Sequence, residues 1–338
     1  MSILSIGSAV SKLSSKQRLI RLIDLLEKNT DEDNELNLDE IIDKFHEENE
    51  VHVGKKAIRD DLKELEESEI FNVTVNQESK GLEKKYSYQE RLFEIHELRL
   101  LIDAVSAARF ITNTETDHLV EKIKNLTSKN LAKQLDNRIY LPENAKSNNS
   151  QIKYNVHKLH TAILNNQVIE FQYGKYDLNK TFQLSRDGAA YFLKPYALVW
   201  HNEFYYLIGE YLHKPEIRHY RIDRMVKVEC LEETFTANPD FNPNKYTEKL
   251  FHMYSGEESL VEIEFNAPLI NVVIDHFGRG VSIRPTENNT FRVSTQAINS
   301  DGLVKWLLTW GNEAKVLTPQ ALVDRMREES EKLYNTYH

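Results

Sequence analysis

The stretch KPYALVWHNEFYYLIGEYLHKPEIRHYRIDR, Lys194–Arg224, decides how the second half of this chain folds. Apolar and aromatic runs alternate in it with short polar segments. That pattern predicts consecutive β-strands, because aromatic and β-branched residues suit a half-buried pleated surface. Together with the residues before it, the stretch predicts five strands: Val168–Tyr173, Thr181–Leu184, Tyr191–Trp200, Phe204–Tyr211 and Ile217–Ile222. Several short strands with turn punctuation favour a small barrel.

The last of these strands carries the candidate binding chemistry. Arg218, Arg221 and Arg224 recur at a spacing of three, with His219 and Tyr220 between them. A guanidinium donates paired hydrogen bonds to phosphate and stays charged, and aromatic rings stack on bases. The predicted ligand-binding residues are Tyr173, Arg186, Tyr205, Arg218, His219, Tyr220, Arg221 and Arg224.

Surface ion pairs are the alternative role of these arginines. Glu216 lies two residues from Arg218, and Asp223 is next to Arg224. Residues two apart on a strand share a face, so the trio cannot all face one way on a flat strand. Either the strand bends or one arginine is structural, and Arg224 is the candidate for that structural role. His219 either binds phosphate or packs.

Composition excludes several classes of protein. The 338 residues are enough for two or three domains, and 40% hydrophobic and 28% charged residues are ordinary for a globular chain. A net charge of −10 argues against non-specific coating of nucleic acid but leaves room for a local basic face. We expect no membrane partner, since no apolar run approaches the ~20 residues of a spanning helix. The single cysteine, Cys230, excludes an intrachain disulfide and favours a reducing cytoplasm.

Three motifs in this order carry a family resemblance. They are P-x-x-L at Pro195–Leu198, the triplet Tyr205–Leu207 with Tyr in place of the usual Trp, and R-x-x-R-x-D-R at Arg218–Arg224. The chain resembles regulators that contain a WYL domain. The resemblance implies an Sm-like five-stranded barrel that senses a nucleotide or a short single-stranded nucleic acid through these positions.

The N-terminal residues predict three helices and a hairpin. A helix capped by Ser14 or Ser15 runs to about Lys28, and Asn37 and Glu40 fit a capping box for the next. A third helix follows at Lys55–Glu67. Two strands are predicted in Asn72–Tyr88, with a turn at Ser79–Gly81.

This arrangement resembles a DeoR-type winged helix-turn-helix, with I-R-D-D-L-x-x-L at Ile58–Leu65 as the matching motif. Gly54 and Ala57 stand where the family usually has Ser and Thr, which removes hydroxyl groups that could contact phosphate. The alternative is a solvated amphipathic helix, which Asp60 and Asp61 favour. The predicted DNA-binding residues are Lys55, Lys56, Arg59, Lys63, Lys80, Lys84 and Lys85.

Residues 90–135 are predicted to be helical, with an apolar stripe from Leu92 to Ala108. The stripe is broad enough to pack either within the chain or against a second copy, so we expect a homodimer with intrachain packing as the alternative. The polar segment Leu141–Gln151 is predicted as a hinge.

The C-terminal residues predict a β-α-β-β-α-β-α order from Leu260, an α/β sandwich. This part resembles the C-terminal extension that often follows WYL domains, including W-L-L-x-W-G at Trp306–Gly311. The fold class is therefore a multidomain α+β protein. The predicted domains are a winged helix at 1–90, a helical linker at 91–141, a WYL barrel at 152–236 and the extension at 258–338.

The function that these features favour is a cytoplasmic, ligand-responsive regulator that binds double-stranded operator DNA. One alternative is a nucleic-acid-sensing module in defence or the DNA-damage response, without promoter specificity. Another is a nucleotide-hydrolysing enzyme, which we do not expect because nucleophile-elbow, Walker and metal-protease motifs are missing from the sequence. No cofactor and no metal site are expected, since His157 and His160 lack a third ligand at motif spacing.

Overall fold

The computed structural model describes residues 13–77, 83–136, 146–147 and 149–338. Contacts divide the chain into two compact units, Met1–Lys146 and Ser147–His338. Three predicted features lie wholly or partly outside the described residues: the N-terminal arm before residue 13, the turn Ser79–Gly81, and the hinge at 141–145 and 148.

The first unit contains helices and three short strands. Their bounds are α1 Ser15–Asn29, β1 Leu36–Asn37, α2 Leu38–Asn49, α3 Lys55–Glu66, β2 Val73–Asn76, β3 Lys85–Tyr88, α4 Ile95–Ala107, α5 Asn113–Lys124 and α6 Lys129–Gln134. Ser14 caps α1 and Asn37 caps α2, each in a capping box with the residue three positions on. The strands pair antiparallel in the order β1-β3-β2.

A shared core joins α1, α2 and α3 to this small sheet. Leu22 and Leu26, Phe45, and Leu62 are essentially inaccessible within it. Asp61 is also buried, because Arg18 holds its carboxylate with hydrogen bonds of 2.6 and 2.9 Å. Asp61 therefore ties α3 to α1 and does not contribute to a solvated face of α3.

The predicted helical segment at 90–135 is broken into α4, α5 and α6. Thr112 caps the N-terminus of α5 and Ser128 caps the N-terminus of α6, so new helices begin at these points and the segment is not one continuous helix. Leu98 and Ile102 of α4 pack with Val120 of α5 in a separate core. Part of the predicted apolar stripe is therefore covered within the chain.

The second unit begins with α7 and ends with α11. Its elements are α7 Ile152–Leu164, β4 Gln167–Tyr176, β5 Phe182–Leu184, β6 Tyr191–His201, β7 Phe204–Tyr211, β8 Ile217–Arg221, β9 Met225–Thr234, α8 Pro243–Thr247, β10 Glu257–Asn266, α9 Ile270–Phe277, β11 Ser282–Pro285, β12 Thr290–Asn299, α10 Asp301–Leu308, β13 Ala314–Thr318 and α11 Gln320–Tyr337.

Strands β4 to β9 form one curled sheet. Its order is β5-β4-β6-β7-β8, and β9 also pairs with β4, outside this order. Among the described residues no ladder joins β8 to β9, so the sheet is a half-barrel. The sequence pattern did not predict β9, because charged residues interrupt its apolar ones (MVKVECLEET).

The C-terminal sheet has the order β11-β12-β10-β13, and its helices pack on one face. Val261, Ile263 and Phe265 point from β10 into that core, where they meet Trp306 and Leu307 of α10. The predicted β-α-β-β-α-β-α order is present. None of the helices in the described part of the chain is long and apolar enough to cross a membrane.

Candidate functional site

A cluster of aromatic rings lies on one face of the half-barrel, around Tyr220 of β8. The ring of Tyr220 lies 5.0 Å from Phe171, 5.0 Å from Tyr173 and 5.6 Å from Tyr191, in edge-to-face contacts. Its hydroxyl is 2.7 Å from that of Tyr211. Burial raises the pKa of Tyr220, and the neighbouring Tyr211 raises it further. Tyr220 is therefore a neutral core residue, and its buried ring cannot stack on a base.

Arg186 is held over this cluster by a strained turn. Its guanidinium lies 4.4 Å from the ring centre of Tyr191 and 5.7 Å from that of Tyr211. Arg186 and Asp187 have φ of 54° and 53°, a left-handed conformation that costs a non-glycine residue roughly 1 kcal/mol or more. The Gln172 side chain stabilises the turn by donating to the Gly188 carbonyl at 2.5 Å.

Two of the three predicted arginines on and after β8 have carboxylate partners. Arg218 pairs with Glu216, as the ion-pair alternative proposes. Arg221 makes two hydrogen bonds to Asp223, of 3.1 and 2.8 Å, and lies 3.6 Å from the ring centre of Phe204. The Asp223 hydrogen bonds hold the pKa of Arg221 above its ordinary value despite burial, which alone would lower it.

Arg224 differs from these two because no carboxylate of the described residues lies within ion-pair distance of it. Its positive charge lies near the Tyr173 hydroxyl and offsets part of the rise that burial causes in the pKa of Tyr173. The same hydroxyl accepts a 3.3 Å hydrogen bond from the Arg221 backbone N–H. Arg186 also has no carboxylate partner among the described residues. These two guanidiniums, and not those of Arg218 and Arg221, keep their charge unneutralised.

Two other predicted ligand residues lie away from this cluster. Tyr205 packs beside Trp200, with ring centres 5.3 Å apart, near the tip of the β6–β7 hairpin. His219, next to Tyr220 on β8, points to the opposite face of the sheet. There its Nδ1 is 2.8 Å from the Met253 carbonyl oxygen and its Nε2 is 3.1 Å from the Tyr246 hydroxyl. Packing, the alternative role of His219, is what its contacts favour.

Sequence reasoning missed three side chains of the site: Tyr191 and Tyr211 below Arg186, and Phe204 below Arg221. The only signal for them was their aromatic character within predicted strands. Their contact with an arginine depends on strand register and sheet curvature.

A groove of about 990 Å³ in the first unit collects most of the predicted DNA-binding residues that the structure describes. Lys55, Arg59 and Lys63 line it from α3, and Lys84 lines it from the segment before β3. The groove also contains the acidic residues Asp39, Asp60, Glu66, Glu67 and Glu83. Lys55 pairs with Asp39 at 2.5 Å. The basic side chains of this groove are therefore interspersed with acidic ones, and positive charge is confined to individual positions in it.

The remaining basic residues lie elsewhere. Lys56 is exposed on α3 outside the groove, and Lys85 lines a neighbouring cleft with Glu32, Asp33 and Glu35. Lys80 lies outside the described residues. His157 and His160 are exposed, and no group of three or more His, Cys, Asp or Glu in the described ranges could hold a metal ion.

Comparisons with known proteins identify two domains in the second unit. The model of the WYL domain matches residues 155–230, and the model of the WCX domain matches residues 257–334. Among solved structures, the chain is similar to proteasome accessory factor B/C (PafBC) of Arthrobacter aurescens, at 16% identity and a TM-score of 0.28. That alignment covers 97% of this chain and 50% of the PafBC chain, so this chain spans about half of its length. A search of curated proteins found no match.

Proposed function

We propose that this chain is a ligand-responsive transcription regulator. In this proposal the first unit binds double-stranded operator DNA through a winged helix-turn-helix. The WYL domain, an Sm-like barrel, binds a nucleotide or a short single-stranded nucleic acid. The observation that carries the effector site is a pair of arginines, Arg186 and Arg224, that have no carboxylate partner in the described part of the chain and lie beside the tyrosine cluster of the WYL domain.

Chemistry supports an anionic effector at this site. A guanidinium that no carboxylate neutralises can form charge-assisted hydrogen bonds with phosphate. Strained backbone at Arg186 persists only where surrounding contacts support it, and such strain clusters at functional sites. Arg218 and Arg221 can contribute only by exchanging a carboxylate for the ligand.

The support for DNA binding comes from the order of elements in the first unit. Helix α2, a turn and helix α3 are followed by the β2–β3 hairpin, the sequence of elements in a winged helix. Arg59 and Lys63 of α3 face the same groove as Lys84 near the hairpin. Since this groove also contains carboxylates, we expect binding that depends on base sequence more than on general attraction to phosphate.

Effector binding is tested by fluorescence anisotropy with a labelled single-stranded oligothymidylate of about ten nucleotides. Arg224→Ala should weaken binding roughly ten-fold or more, because a hydrogen bond to a charged group contributes about 1.5–3 kcal/mol. Arg218→Ala is the matched control, since Arg218 is already paired with Glu216. Equal affinities of the two variants would contradict the site. Titration with ATP tests the mononucleotide form of the effector.

Footprinting on the DNA upstream of the protein's own gene tests the DNA-binding part. A regulator should protect a defined site. In binding titrations at several salt concentrations, Lys63→Ala should reduce the magnitude of the slope of log K against log salt by about 0.9, the value for one lost phosphate contact. Protection without sequence preference would favour the nucleic-acid-sensing alternative. A phosphate-release assay on nucleoside triphosphates tests the hydrolase alternative, for which we expect no activity.

A further inference from the structure

Helix α3 exposes charged side chains in its first two turns. The first turn holds Lys55 and Lys56 and no carboxylate. The second turn exposes Arg59 and Asp60 side by side, and both line the groove of the first unit. In a helix-turn-helix, the N-terminal residues of the second helix contact base edges. Arg59 and Asp60 therefore stand where the proposed operator DNA would meet the helix.

Asp60 differs from the other two aspartates around α3. Asp39 pairs with Lys55 at 2.5 Å, and Asp61 is buried and bound by Arg18 at 2.6 Å. Asp60 is exposed, and its carboxylate has neither an ion pair nor a hydrogen bond with the residues that the structure describes. Its carboxylate is therefore available to a ligand that enters the groove.

Two lysines of the same helix could neutralise this carboxylate but are not paired with it. Lys56 lies four residues before Asp60 and Lys63 three residues after it, which are the spacings of ion pairs on a helix surface. In the described part of the chain neither ammonium group lies within ion-pair distance of Asp60. An unneutralised carboxylate repels the phosphates of any DNA, so favourable binding requires that it gain a partner on the bases.

Hydrogen-bond donors that a carboxylate can use are scarce in the major groove. Of the groups that the bases present there, only the amino groups at N4 of cytosine and N6 of adenine donate. Adenine and guanine also present the acceptor N7, and thymine presents the acceptor O4, which repel a carboxylate. Cytosine presents a donor and no acceptor, so it is the base that suits the Asp60 carboxylate best.

Arg59 supplies the complementary chemistry from the adjacent position. It is exposed, lines the same groove and has no carboxylate partner among the described residues. A guanidinium forms paired hydrogen bonds with O6 and N7 of guanine, the base that pairs with cytosine. Arg59 and Asp60 together therefore favour a site rich in G·C pairs where the second turn of α3 meets the DNA.

We propose that Asp60 is a specificity-determining residue, which accepts a hydrogen bond from the N4 amino group of a cytosine in the major groove of the operator. This inference rests on the proposed function, because it requires α3 to bind DNA as the recognition helix. It adds the base that one position of the operator must contain. Replacing that cytosine by thymine exchanges the donor for an acceptor, so the same carboxylate then opposes binding.

The test uses the full chain to select bound duplexes from a pool of random-sequence DNA. Affinities are then measured for the selected duplex and for versions in which each cytosine in turn is replaced by thymine. At one cytosine the replacement should weaken binding of the unmodified protein roughly ten-fold, within the usual range for one mismatched base pair. Asp60→Asn should reduce this loss to about three-fold or less, because an amide offers both a donor and an acceptor.

A second variant and a matched control separate base recognition from charge. Asp60→Ala should lose the same preference and bind the thymine duplex more tightly than the unmodified protein does. Glu64→Gln is the control, since Glu64 is an exposed carboxylate of α3 that lies outside the groove. It removes the same charge and should change the affinities for the cytosine and thymine duplexes by the same factor.

The outcomes separate this inference from the proposal beneath it. If the pool yields no preferred sequence for the unmodified protein, operator binding fails and the inference fails with it. If a preferred sequence emerges but Asp60→Asn keeps every cytosine preference, Asp60 is only a solvated residue and operator binding stands without it. If Asp60→Asn and Glu64→Gln each change both affinities by one common factor, only net charge matters and the inference falls.

Discussion

At the scale of single residues, close contacts decide which positions tolerate change. Gly302 is the sharpest case, because the added Cβ of an alanine would meet the Phe251 backbone at 2.0 Å, which no side-chain movement can relieve. We expect Gly302→Ala to lower the free energy of unfolding of the second unit by about 2–3 kcal/mol, in the range of other overpacking changes.

Tryptophan fluorescence during guanidinium unfolding measures this effect, since Trp200, Trp306 and Trp310 are the three tryptophans and all lie in the second unit. Gly280→Ala is the control. Nothing lies within 4 Å of a Cβ there, and its φ is not left-handed, so the change should be neutral or slightly stabilising. A Gly302→Ala protein as stable as the control would show that the segment around Phe251 can move away from α10.

His219 predicts a pH dependence of stability. Burial lowers its pKa, and the Arg218 charge lowers it further, although the Met253 carbonyl partly opposes this. The unfolded chain, with a histidine pKa of roughly 6.5, therefore takes up a proton before the folded state does. Stability should fall as pH drops below about 6.5 and level off once pH passes the folded pKa.

The change to test is His219→Gln, which keeps a donor for the Met253 carbonyl but cannot be protonated. Between pH 7.5 and 5 it should lose less stability than the unmodified protein in guanidinium unfolding followed by tryptophan fluorescence. Burial also lowers the pKa of His201 and of His276, so part of the loss of stability at low pH should remain in the variant. Identical pH profiles of stability for the unmodified protein and His219→Gln would show that His219 does not contribute to the pH dependence.

At the scale of elements, one buried carboxylate joins the N-terminal helices to α6. Asp31 is 1% exposed and accepts hydrogen bonds from the Ser128 hydroxyl and from the Asn34 amide at 2.5 Å. Ser128 also caps α6 by accepting from the Leu131 N–H at 3.1 Å. The Ser128 hydroxyl thus caps α6 and also donates a hydrogen bond to the buried Asp31 carboxylate, 97 residues away in the sequence.

Ser128→Ala should therefore destabilise the first unit by about 1–3 kcal/mol, because a buried acceptor loses its donor and a helix loses its cap. Amide hydrogen exchange followed by mass spectrometry should show faster exchange in peptides from α6. Ser106→Ala is a control of the same chemistry, since Ser106 is 5% exposed and its hydroxyl has no hydrogen-bond partner among the residues that the structure describes. That variant should be neutral or more stable, and equal effects of the two changes would refute the role of Ser128.

Local patterns predicted most elements, and the exceptions have physical causes. A capping serine at position 14 or 15 and a capping box at Asn37 predicted the starts of α1 and α2, because capping depends only on residues a few positions apart. Strand β9 escaped prediction because its long-range pairing with β4, in which Gln172 stands opposite Val226 and Tyr173 opposite Met225, stabilises it more than its own mixed sequence does. The apolar stripe of α4 could not show which of its residues α5 would cover.

At the scale of the whole molecule, the leucines of α4 and α5 that remain exposed bear on assembly. Leu100 and Leu101 of α4 remain 66% and 40% exposed, and Leu119 of α5 is 39% exposed. We propose that these residues contribute to a homodimer interface. Light scattering at micromolar concentration should give twice the chain mass of 39.6 kDa, and Leu100→Glu should shift the mass towards the monomer.

Leu178→Glu controls for the added charge, because Leu178 is a fully exposed leucine of the second unit. It should leave the mass unchanged. A monomeric mass for the unmodified protein would exclude the dimer at these concentrations and leave intrachain packing as the purpose of the stripe.

The sequence by itself determined most of the strands and helices, the caps of α1 and α2, and the presence of arginines and aromatic rings in the WYL motifs, because these follow from spacing along a few residues. Only the tertiary structure decided which guanidiniums are neutralised. Arg218 and Arg221 pair with carboxylates two residues away, whereas the curl of the sheet places Arg186 over the Tyr191 ring and the charge of Arg224 near the Tyr173 hydroxyl. The same holds for Asp61, which looked solvated but is paired with Arg18, 43 residues earlier. Periodicity assigns a side chain to a face, but register and curvature decide what that face meets.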